Sequence, residues 1–369
     1  MKKIILFAAF IISYVSVHAQ NDMVVLHERV RTHHDHNVRL IGQTFRDYVK
    51  ASIKDFIFHT DSAKIKYWNT NRSAIDQHGD IVGGLGLKNI YICGKTTVHD
   101  ILQRRDSVYV LHATTINPND SSAADVISHY QICATISHGK VSFHNYATYC
   151  FENKMVKQYC GENIIYYFPL HYNIDRRSVK KTDGFVSKIQ RAYGLGDGLQ
   201  PIMYFLGNNL DEAYSIVGAS YSIATTSHPS AGMFTGTNII YSQRPDHLHE
   251  LVHALFKPRF PHAHPIFHEG LADYLTLSAD VMEKRKKQFQ NYTRSAQISI
   301  STDEELYQLE RVNADGSNHF YTLGVMLIEH AHRHGGSTKV IALLQQPTAI
   351  AAIASELGID DVIAFARNN

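Results

Sequence analysis

Two short segments carry residue types that do chemistry: His249-Glu250-Leu251-Val252-His253 and Glu269-Gly270-Leu271-Ala272-Asp273-Tyr274. Residues four apart share one face of a helix, so His249 and His253 can aim ring nitrogens at a single metal ion. Glu250 sits one residue round from that pair, where a carboxylate reaches a metal-activated water without being a ligand. Glu269 offers a third, anionic ligand. Asp273, one turn further on, can accept the free N–H of a ligating histidine. Three protein ligands and an open position suit a catalytic zinc, so the pattern predicts a zinc hydrolase. In a chain with 24 histidines, chance alone supplies on the order of 0.05 His-Glu-x-x-His matches, and the second segment makes accident harder still.

Each segment needs a helix to position it. Residues 245–257 read as an amphipathic helix, with Pro245 in the first turn and Leu248, Leu251, Val252 and Leu255 at helical spacing. Pro258 stops it, and Pro265 opens a second helix with Glu269 and Asp273 at i and i+4. His262, His264 and His268 are rival third ligands. The first two lie in a Pro-bounded connection and are expected to be exposed, and His268 would point to another face of its helix. Glu269 is preferred because it alone has the Asp273 companion. A metzincin would need Gly at 256 and His at 259, where this chain has Phe256 and Arg259. The inverted motif fails because Met326 stands where Glu329-His330 would need an earlier histidine. The absence of any Cys-x-x-Cys excludes a zinc finger or ribbon.

The two helices resemble those of the gluzincin metallopeptidases, the clan of thermolysin and the zinc aminopeptidases, and in particular its smaller bacterial peptidase MA-like members. Ile266-Phe267-His268-Glu269-Gly270-Leu271-Ala272-Asp273-Tyr274 is similar to their third-ligand helix, in which an aromatic or apolar pair precedes Glu-Gly-x-Ala-x-Tyr. Tyr321-Thr322-Leu323-Gly324, followed by Leu327-Ile328 and Gly335-Gly336, resembles their C-terminal Tyr-x-x-Gly helix. Upstream, Ile202-Met203-Tyr204-Phe205-Leu206-Gly207 with Asp211-Glu212-Ala213 and Gly218 resembles their usual strand and loop.

The resemblance covers about residues 162–369. It implies a thermolysin-like mixed α/β metallopeptidase domain with a helical C-terminal part, Zn2+ as cofactor, and a peptide or protein as substrate. It further implies Glu250 as the base for the attacking water, Tyr321 as second donor to the oxyanion with His319 as runner-up, and His249 as the histidine that Asp273 orients. The strand before the zinc helix, Asn238, Ile239, Ile240 and Tyr241, would dock an extended substrate by strand addition, unless it is a plain core strand. The aminopeptidases hold a free amine with the acid of a Gly-x-Met-Glu-Asn loop. The nearest segment here, Gly232-Met233-Phe234-Thr235-Gly236, lacks that acid, so cleavage within a chain is expected. Two rival functions stand beside this one: a silent metallopeptidase fold that binds peptide or glycan, and a zinc hydrolase acting on a non-peptide amide or epoxide.

Residues 1–19, with Lys2-Lys3, an apolar run from Ile4 to Val17 and Ala19 before Gln20, read as a secretory signal peptide too short to span a membrane. A periplasmic or extracellular location follows, with no membrane insertion. Removing the leader lowers Lys+Arg from 36 to 34, equal to the 34 acids, which gives no electrostatic case for a nucleic acid or anionic membrane partner. Cys93, Cys133, Cys150 and Cys160 make an even set, and in an oxidising compartment one or two disulfides are expected, with Cys150–Cys160 plausible between neighbouring strands. Nothing near them resembles an activating site.

The expected class is α+β. Val38, Ile41, Phe45, Val49, Ile53 and Phe56 recur every three or four residues, a helix over 37–58. Strands are expected at 108–115, 130–136, 141–151 and 155–160, giving a helix plus antiparallel-sheet accessory domain over 20–161 without an assigned function. Within 162–369, strands are expected at 164–168, 202–206 and 237–242 and a helix at 178–193.

Overall fold

The computed structural model describes residues 23–58, 60–82, 94–117, 126–196, 201–222, 232–234, 238–296, 300, 302–310, 318–345 and 350–368. The expected leader, Cys93, Thr235 and Gly236 lie outside the described residues.

Val38, Ile41, Phe45, Val49 and Ile53 form a buried stripe, as their spacing predicts. They belong to α2 (His36–Phe58), which follows the short α1 (Glu28–Arg31) and precedes α3 (Ser62–Tyr67). The stripe shares a core with an open sheet in the order β1 (Val24–Leu26), β2 (Lys95–Arg105), β3 (Val108–Ile116), β4 (Val126–Ser137), β5 (Lys140–Asn145). β1 runs parallel to β2, and the rest is an antiparallel meander. β2 has no counterpart among the expected strands. A register shift between Val98 and Asp100 breaks its alternation, so buried Thr96 and Val98 are followed by buried Ile101.

The expected strand 141–151 is half strand and half helix. At its midpoint Asn145 gives its backbone N–H to Asp76 Oδ1 (2.7 Å) and its amide to the Gly79 carbonyl (2.7 Å). That draws the chain off the sheet, and Tyr146–Glu152 continues as α4, with Ala147 and Cys150 buried at helical spacing. Cys133, Cys150 and Cys160 are free. The Cys150–Cys160 bridge does not form, because Cys150 is buried on a helix beside Tyr146 while Cys160 is exposed at a strand end.

A second sheet has the order β10 (Gly232–Phe234), β11 (Ile239–Ser242), β8 (Ile202–Leu206), β7 (Ile164–Pro169), β6 (Val156–Cys160). Its three inner strands are parallel and its two outer ones antiparallel. The expected boundary at 161/162 falls in the turn between the paired β6 and β7, and β9 (Ala219–Ser222) returns to pair with β4 of the first sheet. Tyr167, Met203, Phe205, Ile239 and Tyr241 face the core that holds α2, together with α6 (Leu210–Ile216). Ile164, Tyr166, Tyr204, Leu206 and Ile240 face the other way, onto α5 (Arg176–Ala192) and the later helices. The second sheet is thus a wall common to two cores, and the chain is mixed α/β with open sheets, compatible with the α+β class.

Beyond the wall lie α7 (Leu248–Phe256), α8 (Pro265–Thr276), α9 (Ala279–Ser295), α10 (Asp303–Tyr307), α11 (His319–Gln345), α12 (Ile350–Leu357) and α13 (Val362–Asn368). α11 breaks at Gly336, whose φ of 62° suits glycine. α8 and α11 meet at Gly270 and Gly324, where a Cβ on Gly270 would fall 2.3 Å from the Gly324 carbonyl carbon. Only glycine permits that approach, and it brings Glu269 and Tyr321 to one place. Among the described residues no helix is long and apolar enough to cross a membrane.

Candidate metal centre

α7 starts at Leu248, three residues later than the sequence pattern suggests. Pro245 stays in the preceding turn because the Tyr204 hydroxyl donates to the Arg244 carbonyl (3.0 Å) and accepts from the His247 N–H (3.3 Å), tying that turn to β8. Leu251, Val252 and Leu255 bury completely, which fixes the helix's rotation and turns His249 and His253 towards α8. α8 opens at Pro265 as expected, with His264 Nδ1 accepting from the Ile266 N–H at 3.2 Å as its cap.

Three atoms then converge. His249 Nε2 lies 3.0 Å from His253 Nε2, His253 Nε2 3.1 Å from Glu269 Oε2, and Glu269 Oε2 3.3 Å from His249 Nε2. Among the described residues these form the one group of three or more His, Cys, Asp or Glu spaced to hold a metal ion. Tetrahedral bonds of about 2.0–2.1 Å separate neighbouring ligand atoms by about 3.3 Å, so the donor set and its spacing fit zinc. His249 Nδ1 meets Asp273 Oδ1 at 3.0 Å; donating its N–H there leaves the Nε2 lone pair for a cation. His253 is buried, whereas His249 and Glu269 keep 21% and 15% of their side-chain surfaces, so the group is reached from one side.

The charges around it are lopsided. For His249, burial lowers the pKa, but Asp273 and Glu269 outweigh it and lift the ring to about 10. Burial instead drives His253 down to about 4. Glu269 resists burial and is held well below the carboxylate range by both histidines and Lys257, whose Nζ lies 3.3 Å from Oε1. Burial pushes the Glu250 carboxyl up to about 7, helped by Glu269 and opposed by His249, Lys257 and the Phe234 backbone N–H. Tyr321 stacks over His249 at 6.2 Å between centroids, and burial and its hydrogen bond to Glu269 raise its hydroxyl pKa far above the usual range.

No family model, curated protein or solved structure matches this chain.

The sequence-derived residues divide cleanly. His249, Glu250, His253, Glu269, Asp273 and Tyr321 come together. His262 is exposed. His264 is buried rather than exposed, capping α8 with its ring stacked 5.7 Å from Tyr307. His268 Nε2 bonds the Phe260 carbonyl at 3.0 Å, away from the cluster. His319 lies against Tyr292 and Phe289 of α9, with ring centroids 4.3 and 5.2 Å away.

The docking strand needs correction. Asn238 precedes β11, and Ile239, Ile240 and Tyr241 are buried; Ile239 pairs with β8, and Ile240 and Tyr241 are paired on both sides, with β10 and β8. Among the described residues the outer strand beside the site is β10, whose Phe234 ring sits 6.2 Å from that of His253. Sequence reasoning also missed Lys257 and Arg285, whose Nη1 donates to Asp273 Oδ2 at 2.7 Å. Lys257, one turn beyond His253, was findable from helical spacing. Arg285 reaches in from α9 and left no local signal.

Proposed function

We propose that the protein is an exported zinc-dependent peptidase of gluzincin type that cleaves within peptide chains. The observation that carries this reading is the convergence of His249, His253 and Glu269 beside a carboxyl, Glu250, poised near neutrality. Bound zinc would supply Lewis acidity, polarising a carbonyl and bringing the pKa of water towards 7. Glu250 takes the proton of the attacking water and passes it to the leaving amine. Tyr321, whose hydroxyl stays protonated, donates to the developing oxyanion. The outer strand β10 offers its edge to an extended substrate in place of β11. The leader read from residues 1–19 belongs to the same proposal.

The test compares metal content and cleavage of a denatured protein mixture between the full chain and Glu250→Gln. One zinc per chain in both, with cleavage lost in the variant, is the expected result. A chain that takes up no zinc would sink the assignment. Zinc without cleavage by either would favour a non-peptide substrate or a binding role.

A further inference from the structure

Asp273 uses both carboxylate oxygens, in opposite directions. Oδ1 faces His249 Nδ1 at 3.0 Å, and Oδ2 accepts from Arg285 Nη1 at 2.7 Å. The Asp273 side chain keeps 7% of its surface and Arg285 28%, so the pair is shielded from most of the screening that weakens surface ion pairs. Arg285 is itself held. Its helix, α9, buries Phe289, pairs Lys286 with Glu329 of α11, and gives Arg294 Nη2 to the Arg367 carbonyl at 2.9 Å. A carboxylate with one fixed partner can still rotate about its Cβ–Cγ bond. With a guanidinium fixed on the far oxygen, that rotation costs a charged hydrogen bond.

We infer that Arg285 is a positioning residue for the metal centre: it locks the Asp273 carboxylate so that His249 keeps its proton on Nδ1 and turns Nε2 to the ion. The inference rests on the proposed zinc site and concerns affinity for the metal, whatever the substrate. Arg285 touches neither ion nor substrate and acts through Asp273 alone. A merely structural Arg285 would join α9 to α8 and leave the metal indifferent to its loss.

The test is a double-mutant cycle on the full chain, with zinc alone as probe, titrated against a fluorescent chelator at fixed pH. Arg285→Met should weaken zinc about 10-fold in the parent chain, yet less than about 2-fold in Asp273→Asn, where the relay is already cut. Arg285→Lys keeps the charge with shorter reach and should recover part of the loss; it also serves in the cycle should Arg285→Met fail to fold. Thermal midpoints of the metal-free proteins separate a general loosening from a loss confined to the ion. Equal losses in both backgrounds, or no loss in the parent, would overturn the inference while leaving the zinc site intact. A parent chain that binds no zinc would overturn the site and the inference together.

Discussion

Asp76 and Glu269 are both carboxylates withdrawn from water, one in the core around α2 and one beyond the shared wall, and their partners differ in kind. Asp76 Oδ1 accepts from the Asn145 backbone N–H (2.7 Å) and amide (3.2 Å), while Oδ2 accepts from the Ser73 and Thr148 hydroxyls (2.8 Å each). Every partner is a neutral donor; burial still raises the carboxyl above its usual range, and these hydrogen bonds offset part of that. Glu269 Oε2 instead meets two imidazole nitrogens that also face each other at 3.0 Å, and one of these histidines already gives its other N–H to Asp273. Acceptors crowd together there, and only a proton or a cation completes them. Donor matched to acceptor marks structure; acceptor facing acceptor marks a site.

Substitutions test this contrast. Glu250→Gln should cost about 10²- to 10⁴-fold in turnover with zinc stoichiometry unchanged, and kcat within tenfold of the parent would remove the base from the scheme. Asp76→Ala removes the acceptor of four hydrogen bonds and should lower unfolding free energy by about 2–4 kcal/mol in denaturant titrations, without altering zinc affinity of the folded protein. A change in affinity would mean that the two regions are coupled. Asp273→Asn should weaken zinc about 10- to 100-fold by chelator competition; unchanged affinity would deny it any hold on His249.

His144 gives the smallest effect. Burial holds its pKa down at about 3, and neither ring nitrogen has a hydrogen-bond partner among the described residues. The unfolded chain therefore takes up a proton first, so stability is full above about pH 6.5 and falls as the pH drops towards 3. At pH 5.5 the loss is about 1.4 kcal/mol, and metal-free His144→Leu should lack it while unfolding at pH 7 no earlier than the parent. A pH dependence identical to the parent's would reassign the acid sensitivity to other groups.

The chain's local patterns were legible where one element contains the whole signal. The stripe on α2, the strand 202–206 and the i, i+4 pairs on α7 and α8 are of this sort, because their spacing is fixed within a single helix or strand. The signal failed wherever a second element decides. Asn145 turns from strand to helix because of Asp76, which is distant in sequence. Ile239 to Tyr241 lost their docking role because sheet order placed β10 outside β11, and no periodicity encodes that order. Arg285 depends on where α9 packs. Gly270 and Gly324 were visible as motif letters, but their reason, two backbones in contact, became physical only when α8 met α11.

Tyr167, Phe205, Tyr241 and Tyr214 stack in series across the face of the wall turned to the first half, with centroid separations of 5.3, 5.4 and 4.3 Å. A chain cut at residue 162 would strip β6 from the sheet and bare this aromatic row to water, an apolar patch of the kind that drives aggregation. The first half therefore shares its core with the second. Shortening the protein to residues 162–369 is expected to yield insoluble material rather than a smaller folded unit.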